Sequence, residues 1–244
     1  MPDSLPGCQW SIDLIRFYKV FAPVYICYMG AELFQNIFWF SAVISSIGTL
    51  IYSLQVRLKE DYLRLILVLL VISVSCSLTS IFCIFILERP KSIIGIIYRC
   101  LEFGILFNLF WIEFFKKNPK NNLIRLLVFL VLFLIILYFD VNAIWLVNGF
   151  LFVSASLVMY WAWIKNLPSA DITEMPIFWV NSAIFIYFSS NLFLFLSRNY
   201  IRLNYYNEFP YLWSLSNFFA IIMNLCFIYA FHLSKTQVTR NARF

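Results

Sequence analysis

Charge, histidine, glycine and proline are all scarce in this chain, and each scarcity removes a class of answers. Asp, Glu, Lys and Arg make up only 12% of the residues, about half of what a soluble globular domain carries. That is too little polar surface to coat a core of this size in water. A single histidine, His232 at the end of the last apolar run, excludes metal chemistry built on a histidine cluster. With six glycines and eight prolines there are few breakers for the discontinuous helices around which many transporters build their sites. GxSxG, HExxH, a P-loop and an acidic pair with phosphate-binding spacing are missing. The last apolar run has no interior lysine for a retinal-type Schiff base. Neither an enzyme activity nor a cofactor is expected.

The six cysteines, Cys8, Cys27, Cys76, Cys83, Cys100 and Cys226, show no CxxC spacing and mostly lie inside apolar runs. They read as small hydrophobes, with no disulfide framework and no metal site. Internal repeats and low-complexity segments are absent, and an odd number of spans does not divide into inverted halves.

What the chain has is apolar length. Hydrophobic residues are 63% of it, gathered in runs that reach the about 20 residues a helix needs to cross a bilayer. Inside hydrocarbon every backbone group must be satisfied within its own segment, so such runs form helices. Candidate spans are 36–55, 63–87, 92–115, 123–139, 143–164, 177–197 and 211–233, joined by short loops that make successive helices antiparallel neighbours. The expected fold class is an all-α membrane protein, a seven-transmembrane-helix bundle. Its transmembrane domain covers 36–235, with 236–244 as a short cytoplasmic tail. Residues 1–35 read as an N-terminal extension. The run from Val20 to Phe34 is short for a span and contains Pro23 and Glu32, which favours an interfacial helix. An eighth span, or a start of synthesis at Met29, is the alternative.

Basic residues orient the bundle. With the N-terminus outside, the inner side carries Arg57, Lys59, Arg64, Lys116, Lys117, Lys120, Arg125, Lys165, Lys235, Arg240 and Arg243. The outer side carries Arg16, Lys19, Arg89, Lys91, Arg198 and Arg202. The imbalance expects the N-terminus outside and the C-terminus in the cytoplasm. The net charge of +6 is scattered over loops, so its partner is the lipid bilayer, through anionic headgroups, and not nucleic acid.

Polar residues inside the spans carry the functional signal. An ionised Glu102 near the middle of the third span costs at least about 2.5–3.5 kcal/mol on insertion scales unless it is paired or wet. Arg99 at i−3 and Tyr98 at i−4 are placed to pair with it. In the sixth span Asn181, Tyr187, Ser190 and Asn191 fall on one half of the helix, with Ser182 and Ser189 on a second edge. In the seventh, Ser214, Asn217 and Asn224 lie within about 80° of one another. Two readings of these side chains stand side by side. Interhelical glue would contribute about 0.6 kcal/mol per hydrogen bond on average. A pocket built from Tyr98, Glu102, Asn181, Tyr187, Asn191, Asn217 and Asn224 would take a small ligand from the outer side. Ser41, Ser45 and Thr49, and Ser73, Ser77 and Ser80, recur at helical spacing and read as packing residues that allow close helix approach. The stretch from Arg198 to Trp213 reads as an aromatic-rich outer loop.

Three features together, the run Tyr98-Arg99-Cys100-Leu101-Glu102-Phe103, the segment Met175-Pro176-Ile177-Phe178-Trp179 leading into Tyr187-Phe188-Ser189-Ser190-Asn191, and the Asn217 to Asn224 spacing, resemble an uncharacterised family of small bacterial seven-span membrane proteins. The resemblance covers 36–235. The family usually has Gly where Ser190 stands, and the first 35 residues lie outside its pattern. Genes of the family often neighbour a sensor histidine kinase or a response regulator. The resemblance therefore implies the bacterial inner membrane and a sensory role, with output passed to a separate cytoplasmic signalling protein. A permease or lipid-handling protein using Glu102 is the competing expectation.

Overall fold

The computed structural model describes residues 33–56, 60–85, 92–114, 141–165, 171–204 and 209–241. They form helices α1 (Leu33–Leu54), α2 (Asp61–Phe85), α3 (Ser92–Phe114), α4 (Val141–Lys165), α5 (Pro176–Asn204) and α6 (Phe209–Asn241). A 3-10 turn, Ile172–Glu174, separates α4 from α5. Among the described residues there is no strand, and six helices are long and apolar enough to cross a membrane. The span expected at 123–139 and residues 1–32 of the expected extension lie outside the described residues.

The distribution of side chains is the reverse of a water-soluble bundle. Trp161 is 69% exposed and Phe193 68% exposed, whereas Glu102, Asn148, Asn181, Ser214 and Asn224 are buried. Exposed apolar surface on this scale would drive association in water. Against lipid tails it costs nothing, and the polar groups must instead turn inward. The described residues are all-α, and their six apolar helices are those of an integral, multi-pass membrane protein.

Side-chain contacts give the directions of the helices. Between α4 and α5, Tyr160 and Ser182 share a 2.7 Å hydrogen bond and Phe152 stacks against Phe188 further along, so the pair is antiparallel. Between α5 and α6, Ser216 donates to Asn191 at 2.6 Å, while Trp179 meets Tyr229 at the other end, again antiparallel. Helices α1 and α6 run parallel: Phe34 meets Tyr211, Asn224 donates to Ser45 at 2.8 Å, and Tyr52 bonds His232 at 3.1 Å. Early residues of α1, Trp39 and Ser46, share a cavity wall with late residues of α2, Ser73 and Ser80, so α1 and α2 are antiparallel. Tyr62 at the start of α2 lies near Glu113 at the end of α3, and Ser73 lies beside Tyr98, so α2 and α3 are antiparallel. It follows that α1, α3, α4 and α6 share one direction and α2 and α5 the other.

Helix α5 is the centre of this arrangement. Half of its spanning residues are buried, against 22% in α1 and α2. Pro176 occupies its first position and Pro210 the first turn of α6, where the missing N–H has no intrahelical partner to lose.

Three expected boundaries change. Helix α1 already covers Leu33 to Gln35, ahead of the expected start at 36. The expected outer loop 198–213 is largely helical, because α5 continues to Asn204 and α6 begins at Phe209. Residues 236–241, expected as tail, extend α6 to Asn241. The physical reason is common to the last two. No glycine or proline interrupts 177–204 or 211–241, so the helix runs past the hydrocarbon into the interface, keeping its backbone bonds. Outside the membrane span, Asp171 caps the 3-10 turn. It accepts from the Thr173 backbone N–H at 3.0 Å and from the Thr173 hydroxyl at 2.8 Å. Those two bonds hold the Asp171 carboxyl below the usual carboxylate range. The turn is tied to α5 by Trp179 Nε1 donating to the Thr173 carbonyl at 2.8 Å. Gln237 of α6 donates to the Glu174 carbonyl at 2.9 Å.

Candidate functional site

The polar centre of the bundle is assembled on one face of α3. Residues at i, i+3 and i+4 of a helix are neighbours, which puts Tyr98, Arg99 and Glu102 together. Arg99 Nη1 pairs with Glu102 Oε2, and the Tyr98 hydroxyl donates to Glu102 Oε1 at 3.1 Å. The guanidinium also sits 5.2 Å from the centre of the Tyr98 ring, within cation–π range. Glu102 is 2% exposed. Both of its oxygens are engaged, so its charge is compensated where lipid would penalise it.

The contact that leaves α3 is Arg99 Nη2 donating to the Tyr187 hydroxyl of α5 at 3.4 Å. Tyr98 and Tyr187 then form part of the wall of a cavity of about 210 Å³. The other polar wall groups are Ser46 of α1, Ser73, Ser77 and Ser80 of α2, and Asn217 of α6, with Trp39, Val43, Ile94 and Met223 among the apolar ones. The cavity lies toward the end of the bundle that holds the starts of α1, α3 and α6. Among the described residues no charged side chain lines it.

The nine polar residues expected to cluster divide by neighbour. Tyr98, Arg99, Glu102 and Tyr187 meet, and Asn217 shares their cavity. Asn181 faces α4, where Nδ2 donates to the Ser156 carbonyl at 3.3 Å. Asn191 donates to the Tyr187 carbonyl at 2.8 Å and accepts from Ser216. Ser190 bonds back to the Ile186 carbonyl at 2.7 Å. Asn224 donates to Ser45 at 2.8 Å and Ser46 at 2.9 Å, tying α6 to α1. Asn181, Asn191 and Asn224 thus act as ties between helix pairs.

Two groups escaped the sequence reading. Ser73, Ser77 and Ser80, expected to permit close packing, line the cavity instead. Their signal was present in the spacing, which is the same for a packed seam and for a hydroxylated wall. Asn148 of α4 is 2% exposed and neither of its amide atoms has a partner. Among the described residues no group of three or more His, Cys, Asp or Glu could hold a metal ion. The geometry can bind and position a small polar group and can link its presence to the α3–α5 contact. Among the described residues it offers no nucleophile with an adjacent base. No family profile, curated protein or solved structure matches this chain.

Proposed function

We propose that this chain is a seven-span sensory or receptor-like module of the bacterial inner membrane, N-terminus outside, C-terminus cytoplasmic, that signals to a separate cytoplasmic protein. The carrying observation is the coupling of the cavity to the helix arrangement. Two wall residues, Tyr98 and Tyr187, are bonded to one buried ion pair, and Arg99 in that pair spans from α3 to α5. A ligand that competes for either tyrosine hydroxyl changes the interaction energy between the two helices. Such a differential contact is the requirement for shifting a conformational equilibrium.

The seventh span is supported by direction. Because α3 and α4 run the same way, the end of α3 and the start of α4 lie at opposite faces of the bundle, which supports a further span in the sequence between them. Its test is side-specific labelling of Phe114→Cys and Val141→Cys in a cysteine-free background. Labelling from opposite sides supports seven spans, and labelling from the same side removes the seventh.

The functional test is capture of the tagged protein from native membranes in mild detergent, with mass spectrometry of co-purifying proteins and lipids. A kinase or other cytoplasmic protein at stoichiometric level supports the receptor reading. A retained lipid or small molecule with no protein partner replaces it with transport or lipid handling through Glu102.

A further inference from the structure

The wall chemistry of the cavity selects among ligands. Ser80 gives its proton to the Cys76 carbonyl at 2.8 Å and Tyr98 gives its own to Glu102. Neither therefore has a proton left for the cavity; Ser80 offers lone pairs, and Tyr98 shares its oxygen with the neighbouring Ser73 hydroxyl. Ser46 is spent as a donor on the Ala42 carbonyl at 3.0 Å and already accepts from Asn224 at 2.9 Å, so it adds no donor and little acceptor capacity. Tyr187 is the opposite case: its oxygen accepts from Arg99, which leaves its proton to donate. The Asn217 amide supplies one group of each kind. Over these groups the wall offers more lone pairs than protons, and among the described residues no charged side chain lines it, while both oxygens of Glu102 behind it are engaged. An ion would enter without a counter-charge, at the cost that charge carries inside a bilayer. An ether or ketone, with acceptors only, would face acceptors. The complement is a neutral group with several O–H donors and some acceptor capacity. The cavity volume of about 210 Å³ lies below the roughly 300–1,000 Å³ of sites for drug-sized ligands.

We propose that this cavity binds a small uncharged polyhydroxylated group, either a free polyol or the sugar headgroup of a lipid. The proposal rests on the reading above that the cavity takes a ligand, and it names the class.

Two native wall residues report occupancy, Cys76 and Trp39. The protein, with its other five cysteines replaced by Ala, is reconstituted in phosphatidylcholine nanodiscs. The rate at which methyl methanethiosulfonate modifies Cys76 is then followed together with Trp39 fluorescence, isolated as the difference from Trp39→Phe. Erythritol should slow the modification and change the fluorescence, while sodium, ammonium and acetate at equal concentration should not. A second arm replaces erythritol with nanodiscs doped with a monoglycosyl diacylglycerol. A response to erythritol assigns a free solute, and a response to the glycolipid alone assigns a headgroup.

Tyr187→Phe removes the donor and should weaken the response about fivefold, the worth of one hydrogen bond. Gly95→Leu should abolish it with the fold intact, because a Cβ at Gly95 meets nothing within 4 Å and the added side chain fills the cavity. A response to the ions instead, or no response of either reporter in either arm, overturns the proposal. Binding in the absence of a protein partner would keep this inference and remove the receptor reading. A captured partner without polyol protection would do the reverse.

Discussion

At Gly149, where α4 meets α5, an added Cβ would lie 3.0 Å from Leu192 Cδ1 and 3.3 Å from Leu192 Cβ. At Gly95, on the wall between α2 and α3, the same atom would meet open space. The first seam is close-packed and aromatic, with Phe152 against Phe188 at 4.9 Å and Tyr160 against Phe178 at 5.9 Å. The second side leaves a cavity walled by serines, tyrosines and an asparagine, backed by a buried ion pair. Both lie within one bundle and draw on the same residue types. What separates them is where the long polar side chains point. On the α4–α5 seam Asn181 spends its Nδ2 across a helix pair, whereas on the other side Arg99 and Glu102 neutralise each other and hold two tyrosines at the edge of a space.

Breaking the ion pair should have the largest effect. Glu102→Leu leaves the Arg99 guanidinium, whose side chain is 13% exposed, without its counter-charge. A loss of about 3–5 kcal/mol is expected for such an orphaned charge. It should appear as a lowered unfolding midpoint in mild detergent titrated with sodium dodecyl sulfate. The double variant Arg99→Leu/Glu102→Leu should recover most of that stability while losing the α3–α5 link. Failure of the double variant to recover would mean that the pair, not the unpaired charge, carries the stability.

Overpacking the close-packed seam comes next. Gly149→Val pushes a branched side chain into Leu192, and overpacking of this kind costs about 1–3 kcal/mol. The same midpoint measurement should show it, and Gly95→Val should show no such loss. A smaller effect is expected at Asn224→Leu, which removes the donor to Ser45 and Ser46. Two interhelical bonds at about 0.6 kcal/mol each set the scale, and the loss should fall on the α1–α6 contact, read by crosslinking between Phe38→Cys and Phe218→Cys.

The smallest effect concerns pH. The folded carboxyl of Asp171 titrates below its ordinary value, so its capping stabilisation is present above that ordinary value and is lost as pH falls through the lowered one. Trp179 is bonded to the Thr173 carbonyl, so its fluorescence should shift over that acid range. Asp171→Asn, which keeps an acceptor oxygen, should abolish the pH dependence and preserve the turn.

The spans with described residues were legible because a run of about 20 apolar residues has one solution in lipid. Their ends were less so, since nothing in 198–204 or 236–241 stops a helix once it has left the hydrocarbon. The local part of the site, Tyr98 with Arg99 and Glu102, follows from spacing within one helix. Its partner Tyr187 does not. The periodicity of α5 puts Asn181, Tyr187, Ser190 and Asn191 on one half, but half of a central helix faces several neighbours, and the register between helices is written in none of them alone. The serines of α2 show the same limit. A hydroxyl every three or four residues suits close packing and a cavity wall equally, and only the facing Tyr98 and Tyr187 decide between them.

The contrast between the two sides is tested most directly by cysteine accessibility in the reconstituted, otherwise cysteine-free protein, comparing Ser77→Cys and Asn217→Cys with Ser156→Cys and Ala183→Cys. A small neutral thiol reagent should modify the first two in the folded protein and reach the second two only after unfolding. Equal rates at all four, or faster reaction at Ser156→Cys and Ala183→Cys, would contradict a solute-accessible cavity on one side of a sealed seam.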